Sequence, residues 1–302
     1  MASWTRREAM RLAATTGLVS IIGGSLGRAV AGMKKTIARS PAYSDGVLAK
    51  GPVGYWRLGE AAGPTVFDET GNGHDGTAFG QPTFGTPGAI NDDPDTAIEF
   101  HGPGSTDYIE IPNSEAFSQP TSGAGLTVEV WIRPDVLLFP YESSGYVHWL
   151  GKGAAGQHEW ALRFYSGDTY RPNRISAYIW NPRGGEGAGA YFEEAQHGHS
   201  LIAGHWIHVV ACYEPGDMNT RPPAGVHIYK NGVHRQGPPS SGTLYSNPAY
   251  QIVPAHGTAP LRLGTREGNS FLIGALDEVA IYPRVLAAEE VLENYRNGIL
   301  PY

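Results

Sequence analysis

The sequence is poor in cysteine and in basic residues. Cys212 is the single cysteine among 302 residues. It cannot form a disulfide within the chain, so the fold depends on its hydrophobic core even in an oxidising compartment. The 22 basic residues are outnumbered by 29 acidic ones, and the formal net charge is −7. No basic stripe is present that could neutralise a phosphate backbone, and nucleic-acid binding is therefore not expected.

Long hydrophobic runs are also missing. The most apolar segment, residues 12–26, is interrupted by Gly, Ser and Thr and is too short for a stable membrane span. Two adjacent arginines, Arg6 and Arg7, precede this segment, and an Ala-Val-Ala cleavage site follows at 29–31. This order resembles a twin-arginine signal, which exports folded proteins. We expect residues 1–31 to direct the chain to the periplasm, cell surface or exterior, and expect no membrane span in the mature chain.

Glycine and proline, in contrast, are abundant. The 41 glycines and 23 prolines separate short apolar stretches along most of the chain, a pattern typical of β-sandwiches and barrels. In the stretch LTVEVWIRP, Val128 and Val130 alternate with Glu129 and Trp131. A strand with one apolar face and an aromatic on the other is expected to lie between two packed layers. The Asn-Gly pair at 231–232 predicts a type I′ hairpin.

Helix is predicted only near the end of the chain. The segment LAAEEVLENYRNG has a helical pattern, with Gly298 expected just beyond the helix at C′. Residues 32–47 lack periodicity and are interpreted as a linker after the signal, so the folded domain is predicted over 48–302. The residues thus predict an all-β sandwich with a short C-terminal helix.

The order of these segments gives a family resemblance. The chain contains, in sequence, PVGYWRLGE, VFDETGNGHDG, TPGAI, AIEF…YIEIP, LTVEVWIRP, HWIHVVACYE, VHIYKNG, LRLGT and FLIGALDEVAIYPRVLAAEEV. This series resembles the LamG-like jelly-roll domains of the concanavalin A-like lectin/glucanase superfamily. The resemblance implies a two-sheet antiparallel jelly-roll sandwich. Family members usually have serine before the final helix, where this chain has Ala287, which weakens the N-cap by about 1 kcal/mol.

The loop TVFDETGNGHDGTAF is rich in oxygen ligands suited to calcium, although its glycines also fit a plain turn. Similar domains join the first strand region to the last strand with a structural calcium ion. By that resemblance, Asp68 and Asp277 would supply side-chain oxygens, and Asn72 or nearby carbonyls would complete the shell. Asp277 shares strand parity with core residues, so its carboxylate needs either a cation or several hydrogen-bond donors.

The superfamily also contains β-glucanases. Retaining glycosidases need two carboxyl groups about 5 Å apart, which on one strand requires acids two or four positions apart. Glu110 and Glu129 have no such partner, and Glu193 and Glu194 are adjacent. A glycoside hydrolase is therefore not favoured, although acids from separate strands remain an alternative.

Two other chemistries are considered and not favoured. The segment IYKNGVHRQ is similar to part of the jelly-roll alginate lyase signature, but the Arg-Thr-Glu and Gln-Ile-His segments of that family are missing. Without a placed acid–base pair, a lyase cannot abstract a proton. His197 and His199 have zinc-like spacing, yet they lie in a glycine-rich stretch, and His208 is expected to be structural. Cys212 is interpreted as a small buried hydrophobe.

Binding therefore remains the favoured function. Sugars are recognised by aromatic platforms beside a few hydrogen-bonding groups. The adjacent strands HEWALRFYS and RISAYIWNPR suggest Arg163, Tyr178, Trp180 and Trp160 as ligand-binding residues; alternatively, the two tryptophans fill the core. We expect a non-catalytic carbohydrate-binding module whose partner is a polysaccharide or glycoconjugate. A structural or adhesion protein that contacts other extracellular proteins is the alternative.

Overall fold

The computed structural model describes residues 43–118, 125–140, 145–165, 174–180, 188–193, 201–214, 225–235 and 256–300. All of them belong to one compact unit that begins at residue 39. The strands among them form two antiparallel eight-stranded sheets, as predicted for a jelly-roll sandwich. None of the helices in these residues has the length and apolar character needed to span a bilayer.

The first sheet, sheet A, has the strand order β14-β13-β12-β7-β16-β5-β4, and β1 also pairs with β16. Its strands are β1 (Gly54–Trp56), β4 (Thr83–Pro87), β5 (Thr96–His101), β7 (Leu126–Pro134), β12 (Ile207–Glu214), β13 (Gly225–Lys230), β14 (Val233–His234) and β16 (Ile273–Tyr282). The second sheet, sheet B, has the order β11-β10-β9-β8-β15-β6-β3-β2. Its strands are β2 (Thr65–Val66), β3 (Gly76–Phe79), β6 (Tyr108–Ile111), β8 (Tyr146–Lys152), β9 (Trp160–Tyr165), β10 (Arg174–Ile179), β11 (Ala188–Glu193) and β15 (Leu261–Leu263).

The main core lies between the two sheets. Strand β7 sits between β12 and β16, and its alternating apolar residues, including Val128 and Val130, are fully buried there. Sheet B contributes Leu162 and Phe164 of β9 to the same cluster. The turn between β13 and β14 contains Asn231 and Gly232 with φ of 51° and 75°, so both central residues have the positive φ that a type I′ turn requires.

Two helices cover the outer face of sheet A. They are α1 (Tyr43–Ala49) and α2 (Ala288–Ile299); a short 3₁₀ helix spans Glu115–Phe117. Tyr43, Trp131 and Tyr282 belong to a second buried cluster beneath the two α-helices. The predicted burial of both faces of β7 is therefore observed. Helix α1 was not predicted, and it places residues 43–47 of the expected linker in the folded domain.

Gly298 corrects another expectation from the sequence. It lies inside α2, which continues to Ile299, and is not a C′ residue. A Cβ atom at this position would lie 2.5 Å from Cζ2 of Trp131. Glycine is therefore required because the helix packs closely against the Trp131 ring.

The two helices are held to sheet A by one buried carboxylate. Glu129 of β7 is fully buried. It accepts hydrogen bonds from Tyr43 Oη of α1 at 2.9 Å and from His208 Nε2 of β12 at 2.8 Å. It also accepts them from Tyr282 Oη of β16 at 2.7 Å and Asn294 Nδ2 of α2 at 2.8 Å. Burial acts to raise the pKa of Glu129, but these donors outweigh it and lower the pKa below its usual value.

We expect Glu129→Gln to lower the free energy of unfolding by about 3 kcal/mol at pH 7, because the neutral amide leaves donors of the network without a charged acceptor. A lowered folded-state pKa gives stability that is complete above the unfolded pKa and lost as pH falls through the folded pKa. The difference between wild type and variant is thus expected to shrink below about pH 4. Urea unfolding at several pH values measures it, with exposed Glu69→Gln as the control. Equal stability of wild type and Glu129→Gln at pH 7 would contradict this role.

We also expect Gly298→Ala to lower the melting temperature. Overpacking against Trp131 costs about 1–3 kcal/mol, which exceeds the gain of about 1 kcal/mol in helix propensity. Gly104→Ala is the matched control, because a Cβ there has no neighbour within 4 Å. A melting temperature for Gly298→Ala at or above that of wild type would show that helix α2 can shift away from the ring.

Candidate functional site

Strands β9 and β10 divide the predicted ligand residues between two faces of sheet B. Arg163 pairs with Ser176 across these strands, and Tyr178 lies two positions farther along β10, on the same face. Trp160 faces the opposite way. It is fully buried in the core between the sheets, and its Nε1 donates to the carbonyl of Phe117 at 2.8 Å. Trp160 is therefore a core residue, as the alternative interpretation had it, and does not belong to the outer face.

Arg163 is clamped between two aromatic rings on this outer face. Its guanidinium carbon lies 4.2 Å from the ring centroid of Tyr146 and 4.1 Å from that of Tyr178. Its Nε donates to Ser176 Oγ at 3.0 Å. Both rings are half-buried, whereas Arg163 is buried. The stacking fixes the orientation of the two tyrosines, and each keeps part of its surface accessible.

Trp180 extends the aromatic surface at the end of β10. Its ring lies 4.9 Å from that of Tyr178 in an edge-to-face arrangement and is half-buried. Two histidine rings approach it, His158 at 5.3 Å and His148 at 5.8 Å. The guanidinium carbon of Arg266 lies 4.4 Å from its centroid. Trp180 thus lies outside the core, with cationic and imidazole groups around it.

His148, Tyr146 and Arg266 complete this face, and the sequence analysis did not identify them. His148 is buried, and its backbone N–H donates to Ser270 Oγ at 3.0 Å. Burial, followed by the positive charges of Arg266 and Arg163, lowers the pKa of His148 well below its usual value. The alternation in YVHWL placed Tyr146 and His148 on one face, but nothing in the sequence linked that face to β10.

A second pair of aromatics lies farther along the same sheet. Phe79 of β3 stacks on Tyr108 of β6 with ring centroids 4.9 Å apart. Arg262 of β15 lies 6.0 Å from the Tyr108 ring and forms an ion pair with Glu110 at 2.9 Å. Aromatic and guanidinium groups therefore occur at both ends of sheet B. The carboxylate of Glu110 is held by its ion pair with Arg262. The carboxylate of Glu129 is covered by the two helices that pack on sheet A.

Of the other acids, histidines and cysteine considered from the sequence, the structure describes the side chains of only some. The side chains of Glu193 and Glu194 lie outside the described residues, as do His197, His199 and Gln236. His208 is buried and bonded to Glu129, the structural role expected for it. Cys212 is a free, buried cysteine, and burial raises the pKa of its thiol to about 11.

Asp68 and Asn72, predicted to hold calcium, have hydrogen-bond partners near their own loop. Asp68 accepts from the backbone N–H groups of Tyr55, Thr70 and His74 at 3.0–3.1 Å. Asn72 is exposed and donates to the carbonyl of Val53 at 3.0 Å. In the described part of the chain, no hydrogen bond joins either residue to Asp277, and no group of three or more His, Cys, Asp or Glu is arranged to hold a metal ion.

Asp277 lies in a different and more acidic environment. It is 2 % exposed; Oδ2 accepts from the backbone N–H of Ala89 at 2.7 Å, whereas Oδ1 is buried without a partner. Nearby, Arg57 forms ion pairs with Asp93, Asp95 and Glu278. Burial, followed by the charge of Glu278, raises the pKa of Asp277 well above its usual value. One guanidinium therefore faces several carboxylates, and an orphaned carboxylate oxygen fits a further cation better than the saturated Asp68 does.

Comparison with solved structures finds similar proteins of low sequence identity, and two of those described here, both toxin domains, share the fold. Domain 4 of AbnA, an extracellular arabinanase from Geobacillus stearothermophilus solved in complex with arabinotriose, is 17 % identical. The match covers 81 % of this chain and 98 % of that domain, with a TM-score of 0.48. The binding domain of botulinum neurotoxin DC in complex with SialylT is 12 % identical, with coverage of 81 % and 51 % and a TM-score of 0.53. The receptor-binding domain of the mosaic serotype C/D toxin, with tetraethylene glycol bound, is also 12 % identical, with coverage of 81 % and 50 % and a TM-score of 0.52.

This chain thus spans about half the length of the toxin domains it matches. No curated protein has a significant sequence match to it. A laminin G family model, described as concanavalin A-like lectin/glucanases superfamily, matches residues 103–292, more than half of the chain. The resemblance seen in the sequence is confirmed: the chain belongs to the concanavalin A-like lectin/glucanases superfamily.

Proposed function

We propose that the protein is a non-catalytic carbohydrate-binding module that acts outside the cytoplasm on a polysaccharide or glycoconjugate. The observation that carries this proposal is the outer face of sheet B, where the half-buried rings of Tyr146 and Tyr178 enclose the buried Arg163 and the half-buried ring of Trp180 lies beside Tyr178. The arginine pair and apolar segment within residues 1–31 support export.

The chemistry of this face suits a sugar. The C–H faces of a sugar ring pack on aromatic side chains, and its hydroxyls need hydrogen-bond partners. The rings of Tyr146 and Tyr178 are already fixed by Arg163 between them. Little side-chain entropy is therefore lost when a ligand binds.

The solved relatives support the ligand class by analogy. A toxin domain of the same fold is named as a complex with SialylT. One fold hosts many functions, however, so the inference depends on the aromatic face of this chain and not on the fold alone. The acids point away from catalysis: Glu129 is fully buried, and Glu110 is paired with Arg262.

We further propose that a calcium ion stabilises the domain at Asp277. The support for this site is Asp277 Oδ1, which is buried without a hydrogen-bond partner among the described residues. Arg57, the nearby cation, already forms ion pairs with Asp93, Asp95 and Glu278. The ion would neutralise the buried charge. Asp68 and Asn72 would then shape the adjoining loop through their hydrogen bonds.

We expect Tyr178→Ala and Trp180→Ala each to weaken glycan binding about tenfold, because an aromatic contact contributes of the order of 1 kcal/mol beyond area burial. Native gels cast with soluble polysaccharides measure the binding, and the same incubations are assayed for new reducing ends. Phe67→Ala removes an equally large but exposed aromatic and is the matched control.

Three outcomes of this experiment would overturn parts of the proposal. Unchanged retardation of both variants would move the site away from this face. No retardation of the wild type by any polysaccharide would overturn carbohydrate binding and favour the adhesion alternative. New reducing ends would show that the protein is an enzyme.

For the metal, we expect calcium to raise the melting temperature of the wild type relative to chelator and to have little effect on Asp277→Asn. The asparagine oxygen can still accept from Ala89 N–H, so the variant loses the charge but keeps this bond. Differential scanning calorimetry with calcium and with chelator measures the difference. Asp68→Asn is the comparison variant. Equal melting temperatures of the wild type with calcium and with chelator would remove calcium from the proposal.

A further inference from the structure

Arg266 is the most unusual charged group on the outer face of sheet B. It follows β15 and is only 2 % exposed. Its guanidinium lies over Trp180, and Nη2 is 3.2 Å from His158 Nε2 and paired with Glu267. Its other two donor nitrogens, Nε and Nη1, have no hydrogen-bond partner among the described residues. Buried guanidinium donors are costly to leave unpaired, so this arrangement requires an explanation.

Two other buried charges of the described residues, Glu129 and Lys152, contrast with Arg266. Both oxygens of Glu129 accept two hydrogen bonds each. Lys152 is fully buried, and it pairs with Glu159 at 2.5 Å and donates to the carbonyl of Gly257. These two sites use protein groups to satisfy a buried charge. At Arg266, the protein supplies a partner to one nitrogen of three.

The surroundings of Arg266 favour a negative ligand. The imidazole of His148 is buried, and its Nδ1 has no partner. Burial, followed by the positive charges of Arg266 and Arg163, lowers the pKa of His148 well below its usual value. Burial also lowers the pKa of Arg266 in spite of the nearby Glu267 carboxylate. An anion would relieve both effects.

We propose that Arg266 binds the acid group, a carboxylate or sulfate, of an acidic sugar whose ring lies on Tyr178 and Trp180. The proposal rests on the proposed function, because it assigns the ligand class of the same face. Arginine suits such groups because its planar, charged donors match their oxygens. The neutral imidazole of His148 adds a group that hydrogen-bonds the ligand without adding charge.

The net charge of the chain makes this inference specific to the site. At −7, the protein as a whole repels a polyanion. Binding of an acidic polysaccharide therefore needs a local group that outweighs the general repulsion. Glu267, which takes up part of the Arg266 charge, would set the strength of the site.

The test uses the full chain and two pairs of polymers that differ in charge alone. Polygalacturonate is compared with its carboxyl-reduced product, and dextran sulfate with dextran, in affinity gels. We expect the charged member of at least one pair to bind about tenfold more tightly, as charge-assisted hydrogen bonds are roughly twice as strong as neutral ones. The first pair reports carboxylate recognition and the second reports sulfate recognition.

Variants assign the preference to Arg266. We expect Arg266→Gln to abolish the preference for the charged polymer, because the charged hydrogen bonds to the acid group are removed. Glu267→Gln removes the competing carboxylate and is expected to strengthen charged binding; it keeps the test valid if Arg266→Gln does not fold. Arg133→Gln removes the same charge from sheet A and is the matched control.

The outcomes separate this inference from the proposed function. Equal binding within both pairs would overturn the acidic-sugar inference and leave carbohydrate binding intact. A preference lost equally in Arg266→Gln and Arg133→Gln, or unchanged in Glu267→Gln, would overturn the assignment to Arg266. Failure of the wild type to bind these four polymers and all neutral glycans tested earlier would overturn the proposed function itself.

Discussion

The carboxylate of Glu129 is the constraint on which the arrangement of this domain depends. A buried charge is tolerated only when donors surround it, and here the donors come from both α-helices and from the strands on either side of β7. Satisfying this one group therefore fixes helices α1 and α2 over sheet A. The helices cover the outer face of sheet A, whereas Tyr146, Tyr178 and Trp180 on the outer face of sheet B are half-buried and keep part of their surface accessible.

The polar side chains around Glu129 on sheet A and around Arg266 on sheet B differ in their hydrogen-bond partners. On sheet A, polar side chains such as His208 and Asn294 serve the packing of the helices and are bonded to a protein acceptor. On sheet B, arginine stacks on half-buried rings, and Arg266 keeps two donor nitrogens without partners. Four donors satisfy the carboxylate of Glu129, whereas buried donors without a partner, as at Arg266, carry a cost that a ligand can remove.

The proposed function depends on the outer face of sheet B and does not follow from the fold alone. The superfamily includes both lectins and glucanases, so membership does not decide between binding and hydrolysis. The proposal of binding depends on accessibility: Glu129 is buried under the helices, whereas Tyr178 and Trp180 keep part of their surface accessible. Sugar stacking needs exposed ring surface, and general acid catalysis needs a carboxyl group that reaches the ligand.

The sequence by itself determined the features that depend on local patterns. Period-two alternation identified β7, and Asn231 and Gly232 identified a hairpin, because these signals need only neighbouring residues. The order of segments along the chain identified the family. Tertiary structure decided the rest. Trp160 lies in the core while Trp180 does not, and Gly298 is fixed by contact with Trp131. Arg266 meets Trp180 because strand order and loop path bring together residues distant in sequence, and alternation along one strand carries no information about which strand lies beside it.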